Sequence, residues 1–218
     1  MDTLLSKEQR IIAAAEQVFA KHGFEKCTVD EIIALADVGK GTLYKYFGNK
    51  EQLFYYLVQK KNILFVERLD AAVKHGLTLE QKLVAFFTEM IAFYKANAAL
   101  WQIIYFEMLG GNAGLMVHTV NGVPTVISRY EAKPSEETKD MMIRYHLLLE
   151  SEFIILKGLI ESGMEKGELK SGDAELDSMS LFFGVAMSIF HPHKVVEETS
   201  CDILAQQIVD RALRGIGK

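Results

Sequence analysis

Cysteine, proline and long apolar runs are all scarce in this chain. Its two cysteines, Cys27 and Cys201, lie far apart in the 218-residue sequence and form neither a metal-binding spacing nor a disulfide framework. Three prolines leave long helices largely uninterrupted. The apolar run 181–190 is shorter than the roughly 18 residues that a membrane span needs, and the N-terminus has no apolar signal core. We therefore expect a cytoplasmic protein with reduced thiols and no membrane contact.

An excess of positive charge is also missing. The formal net charge is −5, and residues 1–54 carry seven Lys and Arg against eight Asp and Glu. This balance disfavours a protein that coats nucleic acid through a general basic surface. Any contact with DNA must therefore come from the local placement of a few cations.

Signatures of catalysis are absent as well. The sequence has no Gly-x-Ser-x-Gly, no nucleotide-binding loop and no set of metal ligands at the usual spacing. We interpret His191-Pro192-His193 as a loop that follows a helix, not as a metal site. We therefore expect no enzymatic activity, no metal and no cofactor.

Helical periodicity is what the sequence offers instead. Over residues 6–22, Ile11, Ala15, Val18 and Phe19 share one helical face, with Ser6 as the expected N-cap and a glycine after the end. A long helix is predicted from Lys50 to about residue 74. Further helices are predicted at about 79–96, 98–109, 137–166, 174–190 and 199–214. The fold class is therefore all-α.

Residues 111–134 fit this pattern least well. Asn121-Gly122 between β-branched residues is a recognised hairpin signal. Pro124 follows closely, and proline disturbs regular strand pairing unless it lies at an edge. We therefore favour an irregular loop or a short helix over a hairpin.

The segment 28–50, TVDEIIALADVGKGTLYKYFGNK, carries the functional signal. Thr28 and Glu31 have the capping-box spacing of a helix start. A break at 36–39 separates this helix from a second one, KGTLYKYF. Two short helices joined in this way form a helix-turn-helix, whose second helix enters the major groove of DNA.

The two faces of the second helix follow from its geometry. At about 100° per residue, Leu43 and Phe47 point toward a core, while Gly41 and Lys45 point away from it. Gly41 permits close approach of the backbone, and Lys45 can reach a guanine edge or a phosphate. Tyrosines can donate to phosphates, as can a lysine or threonine at a helix start. The predicted DNA contacts are Thr28, Lys40, Gly41, Thr42, Tyr44, Lys45, Tyr46 and Lys50.

This segment resembles the DNA-binding head of the tetracycline-repressor-like (TetR) family. The resemblance covers about residues 8–55 and is carried by KGTLYKYF at 40–47, KEQL at 50–53 and the preceding AEQVFAKHGFEKCTVDEIIALA. Two positions depart from the family pattern. Asp37 stands where the turn often has glycine, and Gly39 stands where serine often caps the recognition helix, so no side-chain contact is expected at residue 39.

The resemblance implies a repressor that a small-molecule effector releases from a palindromic operator on double-stranded DNA. It implies a DNA-binding domain over 1–50 and a helical domain for effector binding and dimerisation over 51–218. A homodimer is expected through about 137–166 and 174–190, because the latter carries small residues that permit close helix packing. Candidate effector contacts are Trp101, Tyr105, Met108, His118, Tyr145, Glu152, Phe183 and Met187.

Two alternatives from other classes remain. A helical enzyme would need the catalytic signatures that the sequence lacks. A helical adaptor without affinity for DNA would fold similarly, and a gel shift with the DNA beside its own gene separates it from a regulator.

Overall fold

The computed structural model describes residues 5–74, 78–106, 108, 115–128, 133–191 and 194–214. These residues form two compact units. The first holds the described residues up to Ile63 together with Ala99–Phe106, and the second holds the remainder. The boundary predicted at residue 50 therefore falls inside the first unit.

The first unit is built from short helices around the start of a long one. It contains α1 (Lys7–Lys26), α2 (Val29–Ala36), α3 (Lys40–Phe47), the first part of α4 (Lys50–Lys74) and nearly all of α6 (Ala98–Phe106). The predicted stripe on α1 is fully buried. Ser6 caps this helix by accepting from the Gln9 amide at 3.2 Å. The helix runs to Lys26 but is interrupted at Gly23, whose φ of 73° lies in the left-handed region.

Aromatic packing joins α1 to α4 in this unit. The Phe19 ring lies 5.1 Å from that of Phe54, edge to face, and Phe24 lies 5.2 Å from Phe54. The Phe47 ring at the end of α3 contacts Tyr56 of α4 at 5.3 Å. Helices of eight residues are too short to be stable alone. The contact with Tyr56 therefore helps to hold α3 in place, and α2 packs against α1 and α3.

The second unit has longer helices. They are α5 (Leu79–Ala96), α7 (Glu136–Glu165), α8 (Ala174–Phe190), α9 (Lys194–Glu198) and α10 (Cys201–Arg214). α5 packs against α10, α7 and α8. Side chains cap the starts of α5, α7 and α8, from Thr78, Ser135 and Asp173 respectively. The predicted helices are confirmed here within about two residues, although α9 was not predicted.

Residues 115–128 form a β-hairpin, so our preference for a loop or helix was wrong. β1 (Leu115–Val120) pairs antiparallel with β2 (Val123–Ser128). Asn121 and Gly122 both have positive φ, at 50° and 78°, as a type I′ turn requires. Pro124 pairs with Thr119, and it is tolerated because both strands of a two-stranded sheet are edges.

Among the described residues, no single helix is long and apolar enough to cross a membrane. One pair of helices that is bent at the break between them, Leu79–Ala96 with Ala98–Phe106, meets the length and composition of a span only when both are taken together. Of the predicted loop after α8, His191 is the C-cap of that helix. Pro192 and His193 lie outside the described residues, as does the predicted end of α6 at 109.

Candidate nucleic-acid interface

The connection between α2 and α3 is a tight, well-defined turn. Asp37 closes α2 in the left-handed conformation, with φ 51° and ψ 56°. The Val38 amide donates to the Ile33 carbonyl at 3.1 Å, which satisfies one of the free carbonyls at the helix end. Gly39 precedes α3 without a side-chain cap. The departures at 37 and 39 are therefore compatible with a helix-turn-helix.

The burial of α3 divides the helix as its periodicity predicts. Leu43 and Phe47 are buried, at 0 % and 6 % exposure. The opposite face is exposed, and only Thr42 on it is half-buried. A Cβ added at Gly41 would meet nothing within 4 Å, so the backbone there is open to an approaching partner. The exposed residues of α3 are Lys40, Gly41, Tyr44, Lys45 and Tyr46.

Acidic neighbours accompany two of the cations near α3. The Lys40 ammonium lies 3.0 Å from an Asp30 carboxylate oxygen, and this hydrogen bond raises the pKa of Lys40. Arg10 lies 3.2 Å from Asp37. Exposed ion pairs contribute little to stability, so a DNA phosphate can replace Asp30 as the partner of Lys40.

Thr28 is occupied by the capping box that it was predicted to form. Its hydroxyl accepts from the Glu31 amide at 3.2 Å and donates to the Glu31 carboxylate at 3.0 Å. The Thr28 amide donates to the same carboxylate at 3.0 Å, and this bond chiefly lowers the pKa of Glu31. A phosphate at this helix start therefore has to compete with the Glu31 carboxylate for the hydroxyl.

Lys50 differs most from its predicted role. Its ammonium donates to the Phe24 carbonyl at 2.9 Å and to the Cys27 carbonyl at 3.2 Å. It also lies 4.4 Å from the centroid of the Phe24 ring. Two of its three N–H donors are therefore directed into the protein, and the phosphate contact by this side chain stays a prediction. Sequence spacing gave no signal for this, since the acceptors are backbone atoms more than twenty residues away.

The predicted effector residues are distributed over both units. Trp101 and Tyr105 are buried in the first unit, whereas the other candidates belong to the second. There Tyr145 and Glu152 are buried, and Met108 and Phe183 are half-buried. His118 and Met187 are exposed, which does not support them as lining residues of an enclosed cavity.

A buried polar pair in the second unit includes one residue that sequence reasoning missed. The Tyr94 hydroxyl donates to the Glu152 carboxyl at 2.6 Å, and both residues are 0 % exposed. Tyr94 also stacks on Phe190, with ring centroids 5.5 Å apart. The sequence contained one signal for this pair. Glu152 lies on the buried face of α7, and a buried carboxyl needs a hydrogen-bond partner.

This geometry is that of a helix-turn-helix DNA-binding protein, and its second unit is largely helical. Residues 11–57 match the family profile described as bacterial regulatory proteins, tetR family. The Bacillus subtilis fatty acid metabolism regulator protein is 27% identical over 177 residues, covering 81% of this chain and 78% of the relative. A probable acrEF/envCD operon repressor of Escherichia coli K12 is 34% identical over 106 residues, covering 46% and 48%.

A solved structure, FadR from Bacillus subtilis in complex with stearoyl-CoA, superimposes with a TM-score of 0.69 at 22% identity and covers 95% of this chain and 98% of that one. Residues 11–57 carry the DNA-binding domain of the TetR family, and the chain is a DNA-binding transcriptional regulator. Its relatives are regulators and not enzymes, as the sequence predicted. Regulators of this family bind operators and small-molecule effectors and typically dimerise.

Proposed function

We propose that the chain is a homodimeric repressor that binds a palindromic operator through α3 and is released from it by an acyl-CoA. The observation that carries the proposal is the division of α3, with Leu43 and Phe47 buried and the opposite face exposed. A recognition helix needs this division, because one face must pack on the protein while the other enters the major groove.

In the proposed complex, Gly41 and Lys45 meet the base edges. The missing Cβ at Gly41 lets the helix approach closely, and the Lys45 ammonium reaches a guanine or a phosphate. Tyr44 and Tyr46 donate their hydroxyls to phosphates on either side of the groove. Lys40, Thr42 and the helix start at Thr28 add further contacts. The DNA-binding region ends near residue 50, and the remaining helices bind the effector and the second subunit.

The proposed dimer forms through α7 and α8. Both helices carry large apolar side chains on their outer faces, and α8 repeats them at helical spacing. Two such helices from each subunit make a four-helix bundle that buries these side chains. The exposed apolar residues are Leu147 and Ile154 on α7 and Leu176, Met179 and Met187 on α8.

An acyl-CoA is proposed as the effector on two grounds. The 27%-identical relative is named for fatty acid metabolism, and the superimposed FadR structure contains stearoyl-CoA. The second unit also has an apolar interior with few polar groups. Tyr94 and Glu152 form one hydrogen-bonded pair within it. Such an interior suits an acyl chain. Trp101, Tyr105, Met108, Tyr145 and Phe183 remain candidate contacts.

Binding of purified protein to DNA from beside its own gene tests the proposal. We expect retardation of a discrete fragment, and stearoyl-CoA should weaken this binding by about 5- to 150-fold, the usual range of allosteric coupling. Palmitic acid without CoA and free CoA serve as controls. Undiminished binding at saturating stearoyl-CoA would reject the effector, whereas absence of any retarded fragment would reject the regulator.

The assignment of Lys45 has its own test. Lys45→Ala should change the preferred sequence in a binding-site selection, because a base contact is lost. Lys170→Ala, on the exposed surface of the second unit, is the matched control and should select the same sites as the wild type. An unaltered profile for Lys45→Ala would reject base recognition by this residue.

A further inference from the structure

The side chain of Lys50 reaches back from α4 to the junction between α1 and α2. An ammonium has three N–H donors. The Lys50 ammonium donates to the Phe24 carbonyl at 2.9 Å and to the Cys27 carbonyl at 3.2 Å. Its nitrogen also lies 4.4 Å from the centroid of the Phe24 ring. The residue is half-buried. These contacts direct its positive charge toward the protein interior.

The two carbonyls lie at the C-terminal end of α1, where carbonyl groups have no N–H donor within the helix. The last carbonyls of a helix have no intrahelical donors and carry partial negative charge. In α1 this end is further disturbed, since Gly23 leaves the helical conformation. Cys27, the C-cap residue, is extended, with φ −70° and ψ 134°. A cation at this point satisfies the free carbonyls.

The residue that follows Cys27 begins the DNA-binding motif. Thr28 is the N-cap of α2 and holds its first turn through the capping box. The orientation of α2 therefore depends on the path of the chain through Phe24 and Cys27. Lys50 is the first residue of α4, so a single side chain connects the start of α4 to the entry of α2.

We propose that Lys50 is a positioning residue, which fixes the junction between α1 and α2 so that α2 and α3 meet DNA in the correct orientation, and that it is not a phosphate ligand. The inference rests on the proposed docking of α3. Two of the three N–H donors of the ammonium are used by the Phe24 and Cys27 carbonyls, so a phosphate bound through more than one N–H would require the ammonium to leave at least one of them. The two roles differ in a measurable way, because a cation that neutralises a phosphate contributes to the salt dependence of binding.

The experiment compares Lys50→Met with Lys40→Met, the lysine of α3 proposed to bind a phosphate, in the full chain. Methionine retains an unbranched apolar stem but has neither charge nor N–H donors. Operator dissociation constants are measured across a range of salt concentrations. In parallel, the reaction of Cys27 with a thiol reagent is followed in a Cys201→Ser background, because Cys27 is buried at 2 % exposure and reacts when the junction opens.

For Lys50→Met we expect operator binding weakened on the order of tenfold, an unchanged salt slope and faster labelling of Cys27. The nearby Lys50 charge lowers the pKa of the Cys27 thiol, although burial raises that pKa more. Loss of the charge alone would therefore slow labelling, so that acceleration indicates opening of the junction. Lys40→Met should instead lower the salt slope by about 0.9 and leave labelling unchanged.

A fall of about 0.9 in the salt slope of Lys50→Met would overturn the inference in favour of a phosphate contact. Unchanged operator affinity would overturn it as well. If Lys50→Met does not fold, Lys50→Gln replaces it in the experiment, because glutamine retains an N–H donor but has no charge. We expect Lys50→Gln to bind DNA with the wild-type salt slope, and a lowered slope would overturn the inference. An unchanged slope for Lys40→Met would count against the docking of α3, and not against the role of Lys50.

Discussion

At the scale of single residues, the exposed face of α3 is distinguished by a glycine as well as by its lysines and tyrosines. Gly41 lies in a regular helix, where glycine costs about 0.5–1 kcal/mol relative to alanine. A Cβ at this position meets no protein atom within 4 Å. The fold therefore gives no reason for glycine here, whereas close approach to DNA does.

Gly41→Ala separates these two effects. We expect the free energy of unfolding to rise by up to about 1 kcal/mol and operator binding to weaken on the order of tenfold, because the methyl group prevents close approach. Urea unfolding and fluorescence anisotropy measure the two quantities. Operator affinity equal to that of the wild type would show that Gly41 does not face the DNA closely.

Which residues face inward could be predicted from the sequence, but their polar partners could not. The spacing of Leu43 and Phe47 is a local property of one helix, and both are buried as predicted. The partners of Lys50 are carbonyls of Phe24 and Cys27, which only the tertiary fold brings near. The same holds for Tyr94, whose partner Glu152 is 58 residues away.

At the scale of secondary-structure elements, local chemistry determines where the helices of the first unit begin and end. The N-cap at Ser6 and the capping box at Thr28 were predicted from the sequence and are confirmed, and Ser6 also forms a capping box with Gln9. The hairpin was misjudged because Pro124 was weighted above Asn121-Gly122. The positive φ of both turn residues decides the structure there, and the missing proline N–H matters little at a sheet edge.

The turn at Asp37 gives a prediction for the α2–α3 connection. Its φ of 51° is unfavourable for most side chains and worst for β-branched ones. Asp37→Val should lower the free energy of unfolding by about 1–3 kcal/mol, whereas Asp37→Gly should retain wild-type stability within about 1 kcal/mol. Equal stabilities of the two variants in urea would contradict the left-handed turn.

The capping box of α2 makes stability depend on pH. The pKa of Glu31 is lowered in the folded protein, first by the hydrogen bond from the Thr28 backbone amide. The ionised Glu31 side chain therefore adds to the free energy of unfolding at pH values above its pKa in the unfolded chain. This contribution is lost as the pH falls through the pKa of Glu31 in the folded protein. Glu31→Gln retains an acceptor but no charge, so the difference from wild type in urea unfolding should shrink between about pH 7 and pH 3. A constant difference would exclude this titration.

At the scale of the whole molecule, the apolar outer faces of α7 and α8 are proposed to meet a second subunit. Ile154→Glu should shift the protein to monomers in sedimentation velocity, because a charge would have to be buried in the dimer. Ile203→Glu on α10 is the matched control, since Ile203 is 52 % exposed and Ile154 is 58 % exposed. A stable dimer of Ile154→Glu would place the interface elsewhere.

The dimer also sets the geometry of the operator. Two recognition helices related by a two-fold axis reach half-sites about 34–36 Å apart, or a multiple of that distance. We expect a protected palindrome with this spacing in a footprint of the wild-type protein. The Ile154→Glu monomer should lose most of this protection, since each half-site would then be bound independently.

The most direct test of the account is the operator affinity of Lys45→Glu beside that of Lys170→Glu. The two substitutions change the net charge equally, but Lys45 lies on the exposed face of α3 and Lys170 in the second unit. If α3 enters the major groove, Lys45→Glu should abolish specific binding while Lys170→Glu binds like the wild type. Equal affinities for the two variants would contradict DNA recognition by this helix.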